Sequence, residues 1–343
     1  MKIAVLSGGL STERDVSITS GTLITKALRS KGHKVVFIDV FMGYENDNCD
    51  PEKLFEEGYN FVDNAGVGTE IPDIEQIRSM RKDKSASFLG ENVIEICKAA
   101  DITYFALHGG EGENGQLQAT FDMLGIKYTG SDYLGSALAM DKGITKALFI
   151  HNKVMTAPGE IFKSKADAEK WSEFPCVIKP CAGGSSVGIA KAENKEEFMV
   201  AVDDAFSYEK EIVVEKFISG REFSVGVLGD KVLPPIEIIP DTGFYDYKSK
   251  YQAGLTREIC PADITAQEDK LLRDSAREAF RVLKLKGYAR IDFILSDNKA
   301  YCLEANTLPG MTPTSLLPQE AAVEGMDFAT LCDKIIEISL EKY

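Results

Sequence analysis

One stretch near the N-terminus constrains the fold more than any other. "KIAVLSGG" is an apolar run that stops on two glycines. "ERDVSITSGTLITKALRSKG" follows, with apolar residues at roughly helical spacing and a stop at Lys31-Gly32, and "HKVVFIDV" returns to an apolar run. A strand buried on both faces reads as unbroken apolar sequence. A glycine turn, a helix and a second such strand form the βαβ unit of a parallel sheet, so the chain opens as an α/β fold.

A third strand, "ADITYFALHGG", ends in glycines, and "GQLQATFDMLGI" reads as the helix after it. Between them, from about Phe41 to Asn92, the chain is irregular and rich in Asp, Glu, Asn and Gly, and reads as surface elaboration. After "YTGSDYLGSALAMDKGITKALF" the pattern changes. Short strands "FPCVIKP", "GIAKA" and "EIVVEKFI" alternate with the helix "KEEFMVAVDDAF", as in a small α/β unit. Then come "REFSVGVLGDKVLPPIEII", a polar loop, a helix near Gln267–Leu283, the strand pair "YARIDFIL" and "AYCLEAN", and a last helix near Asp327–Glu341. There is no internal repeat. The 343 residues divide into three expected units, 1–130, 131–214 and 215–343.

The formal net charge of −15 argues against a nucleic-acid partner, because a phosphate backbone needs a basic patch. It does not argue against one nucleotide, which a few local Lys and Arg can hold. The seven cysteines are scattered, with no C-x-x-C pair and no zinc spacing, and read as reduced, buried thiols. The opening apolar run is too short for a signal peptide or a membrane span. A cytoplasmic protein with no membrane partner is expected.

Two segments carry chemistry. "YCLEANTLPGMT" begins as a buried strand and ends with Glu304 and Asn306 two residues apart, hence on one face. The preceding strand carries Arg290 and Asp292 at the same spacing, across the short turn "SDNK". In a hairpin, Asp292 falls opposite Glu304 to within about one residue. Two carboxylates and an amide oxygen are hard ligands that suit Mg²⁺, and an arginine beside them can offset charge on a transferring phosphoryl group. A solvent-facing polar strand edge would carry the same residues. The second segment, "VIKPCAGGSSVGIAKA", puts Lys179 at the end of an apolar strand, then a Gly-Gly-Ser-Ser loop and another strand. Glycines let backbone N–H groups wrap a phosphate, and Ser185 and Ser186 add hydroxyls. No Lys-Ser/Thr follows Gly188, so this is not a Walker A loop; a plain hairpin turn is the other reading.

Strand-Lys-Pro with "GGSSVG", then "EKFISGREFSV", "ARIDF" and "LEANTLPGMT", preceded by "GGLSTERDVS" and "HGGEGENGQLQ", resembles the D-alanine–D-alanine ligase family of the ATP-grasp superfamily. The likeness runs over nearly the whole chain and is weakest around residues 41–92. It implies an ATP-grasp architecture: an N-terminal parallel-sheet domain followed by two α+β domains that enclose the ATP site. It also implies a reaction. ATP phosphorylates the carboxylate of one D-alanine, a second D-alanine attacks the acyl phosphate, and D-alanyl-D-alanine, ADP and phosphate result, for peptidoglycan synthesis.

Carried over by position, the resemblance implies that Glu13 binds the first ammonium, supported by Ser17, and joins Ser185 and Tyr251 in a hydrogen-bonded set. A plain helix N-terminal carboxylate is the other reading of Glu13. Arg290 and the Gly310 N–H would clamp the oxyanion, and Ser315 and Leu316 would hold the second carboxylate. Asp292, Glu304 and Asn306 would hold two Mg²⁺ ions, with Mn²⁺ as an alternative and a monovalent cation as a further candidate cofactor. Lys142, Lys179 and Lys250 would reach the ATP phosphates, with Ser185 and Ser186. Glu215, Phe217 and Ile218 would read adenine by backbone and packing, and Glu222 would bind the ribose. Phe217 could equally be core, and Lys142 and Lys179 plain surface lysines. His108 resembles a substrate-pocket residue; a structural histidine is the alternative. A homodimer is expected.

Two departures stand out. The family's Gly-Glu-Asp-Gly reads Gly112-Glu113-Asn114-Gly115 here, and the phosphate loop begins Cys181-Ala182-Gly183-Gly184. Neither removes a residue given a catalytic role. Lys250-Tyr251 resembles the dipeptide-forming type rather than the depsipeptide-forming one, and leaves D-serine open as the second substrate. A catalytically silent nucleotide binder would not need the full ligand set. A dinucleotide oxidoreductase would need G-x-G-x-x-G, which the first turn lacks.

Overall fold

The computed structural model describes residues 1–66, 72–184, 187–240, 256–312 and 314–343. Strands β1 (Lys2–Ser7), β2 (Lys34–Asp39) and β3 (Ile102–Phe105) form a parallel sheet in the order β2-β1-β3. The helix Arg14–Ser30 is the crossover from β1 to β2, as the apolar spacing predicts. Its Ile24 and Leu28, 0 % exposed, pack into the same core as the strands.

The segment expected as surface elaboration contributes more than that. Its helix Pro51–Glu57 is capped by Asp50, which accepts from the Lys53 N–H, and buries Leu54 and Phe55 in the N-terminal core. Seven residues give too few turns for a helical period to show in sequence.

Strands β4 (Gly159–Phe162), β5 (Cys176–Pro180), β6 (Ala190–Ala192) and β7 (Ile212–Lys216) form an antiparallel sheet, order β4-β7-β5-β6. The helix Lys195–Tyr208 covers it through Phe198 and Val202. The third sheet holds β8 (Arg221–Leu228), β9 (Lys231–Val232), β10 (Ile236–Pro240), β11 (Thr256–Ile259), β12 (Tyr288–Ser296) and β13 (Lys299–Asn306), with the path β11-β10-β8-β12-β13 and β9 on β8. The helix Ala266–Val282 starts on a capping box between Thr265 and Glu268 and lies against this sheet.

Packing redraws the three expected units. A boundary after residue 214 falls inside β7. The helices Tyr133–Met140 and Lys142–His151 put Ala139 and Phe149 into the core of the third sheet, not the second. The last helix, Phe328–Leu340, buries Leu331, Ile335 and Ile336 in the N-terminal core. Apolar faces find their partners in space, and chain order does not disclose them.

The β12–β13 hairpin turns at Asp297 and Asn298, both with positive φ (49° and 57°). Two such residues make a turn whose twist matches that of the strands. Asp292 pairs with Glu304 and Arg290 with Asn306, but the register slips between Asp292 and Phe293, leaving Leu303 as an extra residue. No helix among the described residues is long and apolar enough to cross a membrane.

Candidate active site

Two cavities meet at the end of β13. The first is lined by Glu13, His108, Glu113, Lys142, Arg290 and Gly310, among others, and the second, of about 460 Å³, by Lys179, Phe217, Ile218, Glu222 and Asp292. Glu304 lines both.

In the first cavity, Glu13 stands at the N-cap of the helix Arg14–Ser30 without capping it by its side chain. A side chain at Gly184 would meet Glu13 Oε2 at 2.9 Å, so the carboxylate lies against the backbone of the Gly183-Gly184 loop. Ser17 does not support it as expected. Its buried hydroxyl accepts from the Gly8 N–H at 2.8 Å and donates to the Ala106 carbonyl at 2.7 Å, which locks the first βα turn.

His108 is buried, and its Nδ1 lies 2.8 Å from the Leu308 carbonyl. A carbonyl only accepts, so Nδ1 carries the proton and Nε2 accepts from Ser20 Oγ at 3.2 Å. Burial lowers the imidazole pKa, against the pull of the Glu13 charge, and keeps the ring neutral. Ser20 Oγ in turn receives the Met311 N–H at 3.4 Å. On the same turn, Glu113 accepts from the Leu308 N–H at 3.0 Å and from the Gly109 N–H at 2.7 Å. The segment carrying Gly310 is thus held by three N-terminal side chains. Burial, with Glu13 nearby, pushes the Glu113 carboxyl up to about 7. Beyond this turn, Gly310 passes so close to Ser315 that a Cβ would stand 2.7 Å from its Oγ. Ser315 and Leu316 form the N-terminus of the helix Leu316–Val323, where backbone N–H groups favour an anion.

In the second cavity, Glu215 is buried between two lysines: Oε1 is 2.8 Å from Lys146 and Oε2 is 2.7 Å from Lys179. Burial would raise its pKa, but the two ammonium groups hold it below the usual carboxylate range. Burial would lower Lys179, and the Glu215 charge raises it. Phe217 is half-buried rather than core, with Lys191 Nζ 4.0 Å above its ring. Lys142 opens its helix beside the Gly183-Gly184 loop. Its backbone N–H donates to Cys181 at 2.8 Å, and its ammonium donates to the Gly183 carbonyl at 2.8 Å.

Between the cavities, Asp292 accepts from Arg290 Nε at 3.0 Å and NH2 at 2.9 Å, from Ser224 Oγ at 2.7 Å, and from Asn306 Nδ2 at 3.0 Å. The Asn306 amide therefore turns its nitrogen to Asp292 and keeps its oxygen as an acceptor. The register slip at Leu303 brings Glu304 to this face. In a regular ladder Glu304 would share the core face of Cys302, two residues earlier. Two carboxylates and an amide oxygen on one wall fit a hard divalent cation.

Ser185, Ser186, Lys250 and Tyr251 lie outside the described residues. The sequence reading missed Glu113, Ser20 and Lys146 as participants. Lys146 stands four residues after Lys142, on the same helix face, and that spacing was a usable signal. Glu113 stands in the motif Gly112-Glu113-Asn114-Gly115, but nothing in sequence shows its contact with Leu308 or marks Ser20, partners roughly 200 and 290 residues away. Glu320 was also missed. It is fully buried, accepts from the Gly226 N–H at 3.1 Å, and burial raises its pKa well above the carboxylate range.

A parallel N-terminal sheet joined to two antiparallel sheets, with the Gly183-Gly184 loop lining one cavity with Glu304 and Asn306, is the architecture of an ATP-grasp enzyme. Family models bear this out: "D-ala D-ala ligase N-terminus" matches residues 2–131 and "D-ala D-ala ligase C-terminus" residues 138–337. The D-alanine–D-alanine ligase of Lacticaseibacillus casei is 43% identical over 346 aligned positions, covering 100% of this chain and 97% of its own. A crystal structure of the Bacillus anthracis D-alanine–D-alanine ligase superposes with a TM-score of 0.75 at 30% identity, covering 99% of this chain and 98% of its own. The VanG D-Ala:D-Ser ligase of Enterococcus faecalis gives 0.75 at 28%, covering 98% and 99%. The chain belongs to the D-alanine–D-alanine ligase family.

Proposed function

We infer that this chain is an ATP-dependent ligase that joins two D-alanines into D-alanyl-D-alanine, with ADP and phosphate as the other products, for peptidoglycan precursor synthesis. The observation that carries this reading, beside the family, is the meeting of two cavities at Glu304. A nucleotide in one and an amino acid in the other would face each other across Asp292, Glu304 and Asn306.

Glu13 holds the ammonium of the first D-alanine, in the set with Ser185 and Tyr251, and a carboxylate oxygen of that D-alanine attacks the γ-phosphorus. The bond to ADP breaks, and D-alanyl phosphate forms. The free amine of the second D-alanine then attacks the acyl carbon, its carboxylate held by Ser315 and the Leu316 N–H. Arg290 and the Gly310 N–H stabilise the oxyanion that develops. The carbonyl re-forms, phosphate leaves with the electron pair, and the new amide loses the amine proton. Lys142, Lys179, Lys250 and Ser186 hold phosphates; Glu215, Phe217, Ile218 and Glu222 hold the nucleoside. Asp292, Glu304 and Asn306 would hold two Mg²⁺ ions, whose charge, when bound, offsets that of the phosphates. Asp292 would give up one of its four donor contacts to a metal, and displacement of Arg290 would free its guanidinium for the transferring group. A cytoplasmic homodimer is the working assembly.

The test is phosphate release with ATP, Mg²⁺ and D-alanine, with and without K⁺, then with limiting D-alanine and excess D-serine or D-lactate, products identified by mass. D-Alanyl-D-alanine as the dominant product is expected. A dominant mixed product would reassign the acceptor, and no phosphate release from folded, ATP-bound protein would overturn the reaction.

A further inference from the structure

Lys146 has no part in the reaction above, yet it is 4 % exposed, and burying an ammonium is costly unless it is paired. Its ammonium lies 2.8 Å from Glu215 Oε1 and donates to the Ala157 carbonyl, with the Thr156 hydroxyl at 3.5 Å. The other oxygen of Glu215 holds Lys179. One carboxylate therefore faces two ammonium groups, and the trio carries a net charge of +1. Lys179 and Glu215 line the second cavity, and Lys146 stands behind Glu215.

The surplus matters because of what surrounds it. Among the described residues the cavity wall carries five carboxylates and three cations, and Arg221 and Glu237 cancel each other at 2.7 Å, which leaves four carboxylates against Lys179 and Lys216. Apart from the metal ions that Asp292 and Glu304 would hold, a polyphosphate would find few cations on this wall besides Lys179. A purely structural ion pair needs one lysine, and well-packed apolar side chains often stabilise a buried site as well as ions do. The second lysine adds charge rather than packing.

We propose that Lys146 is a positioning residue that neutralises Glu215, so that Lys179 keeps an unbalanced positive charge for the phosphates of ATP. The inference rests on reading this cavity as the nucleotide site. It predicts that the ratio of ATP to adenosine affinity tracks the charge of the trio, since adenosine has no phosphate.

The experiment is calorimetric titration of the full chain with ATP and with adenosine in Mg²⁺. Lys146→Met (trio charge zero) is expected to lower the ratio about tenfold, the order of effect of one unit charge at a partly buried site. The Lys146→Met/Glu215→Gln double variant (+1) is expected within about threefold of wild type, and Glu215→Gln alone (+2) above it. In the last two variants the new amide oxygen still accepts from Lys179, and in Glu215→Gln alone the Ala157 carbonyl still accepts from Lys146, so they decide the matter should Lys146→Met not fold. Equal losses of ATP and adenosine, or a ratio that ignores the charge series, would overturn the inference alone. Wild-type protein that binds neither ligand would overturn the nucleotide reading and this inference with it.

Discussion

Arg290 shows how one side chain can be both a structural counter-ion and a reagent. Its guanidinium makes two hydrogen bonds to Asp292. Glu258, whose pKa is raised by burial, and Glu320 lie within its field. Replacing it by alanine leaves Asp292 with Ser224 and Asn306 as donors, so the fold should survive. We expect Arg290→Ala to lose roughly 10²–10³ in kcat, the usual cost of one transition-state donor. Near-normal turnover by the variant would remove Arg290 from the clamp. Asp292→Asn should raise the Mg²⁺ concentration for half-maximal rate more than it lowers the melting temperature. A lower melting point with an unchanged Mg²⁺ titration would make Asp292 a fold residue only.

At the scale of elements, helix ends and strand ends do the positioning. The helix Leu316–Val323 starts at Ser315, whose side chain caps nothing. Its hydroxyl instead accepts the Thr312 N–H at 3.0 Å. Ser315→Ala should therefore cost about 0.5–1.5 kcal/mol of stability, the worth of one ordinary hydrogen bond. If the hydroxyl binds the second D-alanine, the variant loses a hydrogen bond to a charged group, about 1.5–3 kcal/mol, and KM for D-alanine rises roughly 10- to 100-fold. Steady-state kinetics beside a thermal melt separates the two, and an unchanged KM would rule the contact out. The β12–β13 hairpin was readable in advance because "SDNK" is a turn sequence and the i, i+2 pairs match across it. The slip at Leu303 was not readable, since a strand's sequence does not say which residue the partner will skip.

At the scale of the whole molecule, the segment from Leu308 to Met311 is governed by residues from the other end of the chain: His108, Glu113 and Ser20. Glu113 makes this joint sensitive to pH. Its folded pKa, about 7, exceeds the ordinary 4.5, so the folded state holds its proton more tightly. The stability it contributes is full below about 4.5 and is lost as pH rises through about 7. The melting temperature of wild type relative to Glu113→Gln should fall between pH 5 and pH 8. A difference that stays flat across that range would show that the carboxyl titrates normally.

Sequence alone determined the parallel βαβ opening, the hairpin, and the residue types of the proposed metal set and phosphate loop. These rest on local facts: strand alternation, turn chemistry and glycine content act within a few residues. Tertiary structure decided which apolar faces share a core. It turned Glu304 out of the core face, gave Glu215 two lysines, and tied the Gly310 turn to His108 and Glu113. Burial and pairing depend on which residues meet across long separations, and one sequence holds no record of those meetings until the chain is packed.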